Sequence, residues 1–394
     1  MKNIRVILTV IFITLISSHG LAQVVGNTSD GSTIVITGSG FGTHDLSGGM
    51  IGKKNGIVHS TSNGQRLPSN SKWINGDDNV RAPLYVANNN HSRVAGENVI
   101  TGKTDNSRGH FNAPLIYDHG SPIGAGEKIF FTYWTKMLCE EANDGQWKMW
   151  RLSNTNNISD HLGEITYFNW DRSDSLSIRN SWTGVSTTRT VSWVQSALNP
   201  DGARAYLPEH GVGEWSRVEV QVLTSDYDLV NGEVHLIAHR NDFSGPPYDL
   251  RHRNYENGWT WPETLTYTND SERFRYVILQ NYIGNGDYNS INSKDVFMED
   301  VYVQVGTYKR VELCESSDWN SCAHREIQFP TSWSDNAIEL ELNHGSFTSG
   351  SIAYLHVIGE NNQSLSNYAI TLSGNSSSNA PPRAPTSLQL EVVE

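Results

Sequence analysis

The chain is poor in the residues that favour helices, and long apolar runs are absent beyond its first twenty residues. Alanine and leucine are scarce for a length of 394. Hardly any segment has the 3.6-residue period of an amphipathic helix, which excludes a helical bundle. The absence of a βαβ rhythm excludes a doubly wound sheet. Basic residues are also few: 29 Lys and Arg against 42 Asp and Glu leave a net charge of −13. Such a surface has no electrostatic footprint for nucleic acid. It repels a polyanion at long range, so an anionic substrate requires a locally basic groove. Only three cysteines occur, Cys139, Cys314 and Cys322. Nothing supplies enough ligands at zinc spacing, so a transition-metal centre is not expected.

In the opening "MKNIRVILTVIFITLISSHGLAQ", Lys2 and Arg5 accompany an apolar run that reaches Ile16, and Gly20 and Ala22 follow at cleavage spacing. This is the pattern of a secretory signal peptide, residues 1–22, and the apolar run is too short to span a bilayer. The expectation is an exported protein, secreted or periplasmic, free of the membrane once the signal is removed, and monomeric. In an oxidising compartment, Cys314 and Cys322 in "CESSDWNSC" are expected to close a small disulfide loop, with Cys139 free and buried.

What the chain has in abundance is alternation. "KIFFTYWTKM", "EITYFNW", "WSRVEVQVL", "EVHLIAH", "RYVILQNYI" and "DVFMEDVYVQV" read as strands, separated by turn signals such as "NDG", "NPDG", "VNGE" and "GNGD". Many strands with long loops predict an all-β protein, an antiparallel jelly-roll sandwich. Two flanking segments differ from this middle. In "GSTIVITGSGFGTHD", Gly38, Gly40 and Gly42 suit a tight bend after a strand, with Phe41 turned into a core. The segment resembles the opening of an IPT/TIG domain, an immunoglobulin-like module. "AIELELNHGSFTSGSIAYLHVIGENNQSLSNYAITL" resembles the closing strands of the same module. The resemblance implies one discontinuous domain, residues 24–48 plus 308–373, with the sandwich of 49–307 inserted into it. The alternative is an N-terminal strand that joins the sandwich. Residues 374–394, "GNSSSNAPPRAPTSLQLEVVE", read as a Ser/Pro-rich linker and tail.

The strands "GEWSRVEVQV", "NGEVHLIAH" and "MEDVYVQV" resemble those of the concanavalin A-like jelly rolls. That superfamily includes polysaccharide lyases, glycoside hydrolases, laminin G-like domains and lectins. Alternation puts Val218, Val220 and Val222 on one face, with Arg217, Glu219 and Gln221 on the other. It likewise separates His235 and His239 from Val234 and Leu236, and Arg108, His110 and Asn112 from Phe111. In "YVILQNYIGNGDYN", Tyr276, Gln280 and Tyr282 oppose Val277, Leu279 and Ile283. These polar faces are either the wet side of an ordinary sheet or a surface on which a glycan is read.

The chemistry that fits such a set is β-elimination from a uronic-acid polymer. Tyr282 and His110 are the candidates for proton transfer. Arg108, Asn112, Arg217, Gln280, His235 and His239 are the candidates for holding the substrate and neutralising its carboxylate. An early Arg-bearing strand and a late Tyr-bearing strand resemble the order in jelly-roll alginate lyases. The chain departs from that family in lacking its R-[ST]-E-L pattern and any "QIH" or "QVH". A non-catalytic glycan-binding or adhesion protein is the main alternative, and a hydrolase the third. Hydrolysis by paired carboxylates is disfavoured because Glu299 and Asp300 are adjacent, which on a regular strand sets them on opposite sides. His235 and His239, four apart on a strand, lie roughly 13 Å apart, too far to share a metal ion. No cofactor is required. "GDDN" and "NPDG" leave a structural Ca²⁺ open, though both are complete as tight turns. Trp319 and Trp333 are read as core or as a second sugar platform.

Overall fold

A computed structural model describes residues 23–51, 61–75, 84–88, 92–94, 97–103, 115–139, 146–154, 164–170, 175–181, 215–227, 229, 231–239, 248–249, 273–284 and 294–374. Every strand pairing among the named strands is antiparallel, and the fold is all-β.

The central part is a jelly-roll sandwich. One sheet has six strands: β4 (Trp73–Ile74), β7 (Leu115–Asp118), β9 (Gln146–Ser153), β10 (Glu164–Trp170), β11 (Ser175–Ser181) and β15 (Tyr276–Gly284). Their spatial order is β11-β10-β9-β15-β7-β4. The facing sheet contains β5 (Leu84–Asn88), β6 (Asn98–Lys103), β8 (Lys128–Cys139), β12 (Trp215–Leu223), β13 (Glu233–Ala238), β14 (Tyr248–Asp249) and β16 (Lys294–Val305). It runs β14-β13-β12-β8-β16-β6-β5, with β3 (Gly49–Ile51) added on β16. Alternation explains the core between them. Val218, Val220 and Val222 of β12 meet Ile129, Phe131 and Tyr133 of β8, and across the sandwich Trp150, Leu152, Val277 and Leu279 close the layer.

A second two-sheet module is built from both ends of the chain. β1 (Gln23–Gly26) and β2 (Thr33–Thr37) pair with β20 (Ala337–Glu341), which pairs with β19 (Phe329–Trp333). The other sheet is β17 (Arg310–Cys314), β18 (Arg325–Ile327), β21 (Ile352–Ile358) and β22 (Ser364–Thr371), ordered β18-β17-β21-β22. Ile34, Ile36 and Phe41 share one core with Val311, Leu313, Leu340 and Leu355. The N-terminal strands β1 and β2 thus share a sheet with the C-terminal strands β19 and β20. Phe41 reaches that core because Gly40 and Gly42 turn the chain at φ 78° and 68°, and a Cβ on Gly38 would lie 2.6 Å from its ring.

Cys314 and Cys322 form the expected disulfide, with Trp319 of the intervening 3-10 turn packed beside them. Trp333 belongs to the module's core. Both indoles are buried, which leaves neither as a sugar platform. The side chain of Cys139 and the turns 76–79 and 199–202 lie outside the described residues. No helix among the described residues is long and apolar enough to cross a membrane.

Candidate functional site

The polar face of β12 and β13 is not open to a glycan. β17 alternates so that Val311 and Leu313 enter its own module's core while Arg310 and Glu312 project the other way, into the sandwich. There they meet β12. Arg217 donates to Glu312 at 2.9 Å and to the Arg325 carbonyl at 2.8 Å, and Arg310 donates to Glu219 at 3.0 Å. Arg310 also bonds Glu312, and Glu219 holds His239 Nε2 at 3.0 Å. His235 Nδ1 lies 3.3 Å from the Gln221 amide oxygen, and the Gln221 amide nitrogen donates to Asn362 at 3.3 Å. Arg217, Glu219, Arg310 and Glu312 have fully buried side chains.

Arg217, His235 and His239 thus leave the set of substrate contacts. Local alternation had assigned their face correctly, but the second module, not water or sugar, covers it. Burial raises the Glu219 carboxyl, and Arg310, His239 and Arg217 outweigh it, holding Glu219 far below the usual carboxylate range. Burial, with help from Arg217, lowers His239 to about 4, so the imidazole is neutral at pH 7 despite its carboxylate neighbour.

A second buried cluster lies beside the first. Glu299 and Asp300 fall at a bulge in β16, where three steps from Glu299 to Tyr302 oppose two steps from Trp134 to Thr132 of β8. Asp300 has φ 51°. This overturns the expectation that the two carboxylates face opposite sides. Both reach Arg93, at 3.2 and 2.6 Å. Arg93 in turn binds Glu326 of β18 and lies 3.9 Å over the Trp134 ring. The pair is sealed under a guanidinium, so it offers no pair of open carboxylates for hydrolysis.

The six-stranded sheet is different, because none of the contacts between modules described above falls on its outer face. Ile278 pairs with Arg151, Arg151 with Thr166, and Thr166 with Arg179, giving one row across four adjacent strands. The next row sets Asp118 opposite Tyr276 and Tyr276 opposite Ser153. Arg275 clamps Asp118 with two bonds of 2.7 and 2.8 Å and lies 5.1 Å from the Tyr276 ring centre. Tyr276, Ile278 and Ile116 form a small buried cluster on this side. Burial, with Asp118 adding to it, raises the Tyr276 phenol.

Beyond that row the ladders shift. From Trp150 to Lys148, β9 takes two steps, whereas β15 takes three (Leu279 to Tyr282) and β10 takes one (Tyr167 to Phe168). Bulges at one level in two neighbouring ladders bend a sheet and re-aim the residues that follow. Beyond this shift Tyr282 stands in register with Lys148. The side chains of Gln280 and Tyr282 lie outside the described residues, as do Arg108, His110 and Asn112 entirely. Lys148, Arg151 and Arg179 were missed from sequence. In "QWKMWRL", Trp and Met occupy both phases, so no polar face stands out.

No family profile matches the chain, and no curated protein matches it. Among solved structures, a PL-14 alginate lyase from Aplysia kurodai aligns at TM-score 0.38 and 8% identity, over 59% of this chain and 90% of that one. The cellulose-induced protein Cip1 aligns at 0.34 and 12%, over 60% and 93%. The alginate lyase Aly36B, as a mutant with alginate tetrasaccharide, aligns at 0.32 and 10%, over 52% and 80%. At these values the likenesses carry no argument about function.

Proposed function

We propose that the protein is a secreted, carbohydrate-active enzyme that cleaves a uronic-acid-containing polysaccharide by β-elimination, with the outer face of the six-stranded sheet as its groove. The observation that supports this reading is the register row Arg179–Thr166–Arg151, with Lys148 opposite Tyr282 one bulge further on. Residues opposite one another in a ladder share a face. The row places Arg151 and Arg179 at one level of the sheet, with Arg151 itself buried at 1% exposure. In this reading the row marks where the locally basic groove that an anionic polymer requires begins.

In this reading Arg179 and Lys148 join Arg108, Asn112 and Gln280 in neutralising the uronate carboxylate, which acidifies the adjacent carbon. His110 or Tyr282 removes the proton from that carbon. The electron pair forms a carbon–carbon double bond as the neighbouring carbon–oxygen bond breaks, and Tyr282 returns a proton to the departing oxygen. No metal or cofactor enters the scheme.

The test is ultraviolet absorbance during incubation with alginate, glucuronan, pectate, ulvan and glycosaminoglycans. A rise on one polymer supports elimination, and Tyr282→Phe is expected to lower that rate 10²–10⁴-fold, the usual worth of a general acid or base. No rise on any polymer, with retardation in a glycan-containing gel, replaces the enzyme with a binding protein.

A further inference from the structure

Among the described residues, the cluster around Arg93 gathers more carboxylates than guanidinium groups. Three carboxylates, Glu299, Asp300 and Glu326, contact a single guanidinium whose side chain is 4% exposed. Arg93 donates from its backbone amide and Nε to Glu299, from both terminal nitrogens to Glu326, and from one of these to Asp300. Glu326 also accepts from the Trp134 indole at 3.0 Å and from the Ser346 amide at 3.1 Å, and His324 Nε2 lies 2.8 Å away. Glu299, Asp300, Arg93 and Trp134 belong to the sandwich; Glu326, His324 and Ser346 belong to the second module. The cluster therefore spans the seam between them.

Among the described residues, the single Arg leaves the three carboxylates with negative charge in a buried site, and a proton on one of them lowers it. Isolated buried charge is costly enough that such a group takes a proton instead. Two features favour Glu299 over Glu326 as its holder. Glu326 accepts from four residues, whereas Glu299 and Asp300 accept only from Arg93 among the hydrogen bonds described, and Asp300 and Glu97 both act against a charge on Glu299.

We propose that this seam is a proton-operated clasp: a proton on Glu299 closes the Arg93 cluster between sandwich and second module, and loss of that proton as pH rises to neutrality loosens it. Burial raises the Glu299 carboxyl to about 7; Arg93 opposes the rise, and Asp300 and Glu97 add to it. The sign follows. A carboxyl whose value is higher in the closed state contributes fully below about 4.5, and that contribution is lost as pH rises to about 7. Beyond 7 the loss is complete and the curve is flat. The neighbouring cluster faces the same seam, and its Arg217 is drawn by Glu326, so loosening one cluster exposes the other.

The experiment is amide hydrogen exchange of β18 in the full-length protein, corrected for intrinsic rates, from pH 5 to 9, for wild type and Glu299→Gln. Gln keeps the shape of the protonated acid and does not titrate. In wild type, protection at Arg325–Ile327 is expected to fall up to tenfold per pH unit between about 5 and 7. In Glu299→Gln that fall is absent. A fall of equal size in both proteins overturns the proposal. Should the variant not fold, infrared difference spectra of wild type decide the matter. A protonated carboxyl band present at pH 6 and gone at pH 9 supports the clasp, and its absence at pH 6 overturns it.

Discussion

Arg217 shows how a residue's meaning depends on what lies across from it. On its own strand it is a cation on the polar face, a reasonable partner for a uronate. In the folded protein it is fully buried against Glu312, beside Glu219 and Thr132. Removing one partner of such a pair strands the other charge, so Arg217→Ala is expected to destabilise the fold by about 3–5 kcal/mol. Urea unfolding measures this directly. His239 carries a separate, pH-dependent consequence. Its value is lowered to about 4 in the fold, so the unfolded chain takes up a proton first. Its contribution is complete above about 6.5 and is lost as pH falls toward 4. His239→Gln is expected to flatten the acid limb of the stability curve in that window, as read from melting temperatures between pH 4 and 7. Glu299 slopes the other way over an overlapping range, so each variant must be compared with wild type at every pH.

Strand faces were legible in the sequence wherever alternation is unbroken. Val218, Val220 and Val222 lie in the core, as the period of two requires. Legibility ended at bulges. The period of two holds only while each strand contributes one residue per step, and neither "MEDV" nor "LQNYI" marks where an additional residue enters. Hence Glu299 and Asp300 were set on opposite sides although they bind one Arg93. The short loop between Cys314 and Cys322 is an element whose closure was legible from spacing. Its sequence separation of 8 corresponds to a chain-entropy contribution of about 2–3 kcal/mol. Replacing both cysteines with Ser is expected to lower stability by that amount, measured by denaturant unfolding with and without reductant. An unchanged midpoint contradicts this.

At the scale of the molecule, the chain leaves the second module after β2, builds the sandwich, and returns to complete the module with β17 to β22. The resulting seam contains buried ion pairs at Arg217, Arg310 and Arg93, and apolar contacts of Phe130 and Tyr302 with Ile327 and Phe329. Two modules joined in this way are expected to unfold in one calorimetric transition near neutral pH, and two separated transitions contradict the coupling. The sequence could suggest the insertion, because the end segments share a pattern. It could not show which sandwich face the module occupies, since that depends on partners some hundred residues away. The central proposal, that the six-stranded sheet is the working face, rests on the other sheet being occupied by the second module.

The measurement that tests it most directly pairs Tyr282→Phe with His235→Gln on whichever polymer wild type cleaves, recording initial rates of unsaturated-uronate formation alongside melting temperatures. Tyr282→Phe is expected to lose at least about 100-fold in rate with little change in stability. His235→Gln is expected to lose stability while the folded fraction keeps its rate. An active Tyr282→Phe, or a fully folded His235→Gln that has lost its rate, places the groove on the other sheet and contradicts the account.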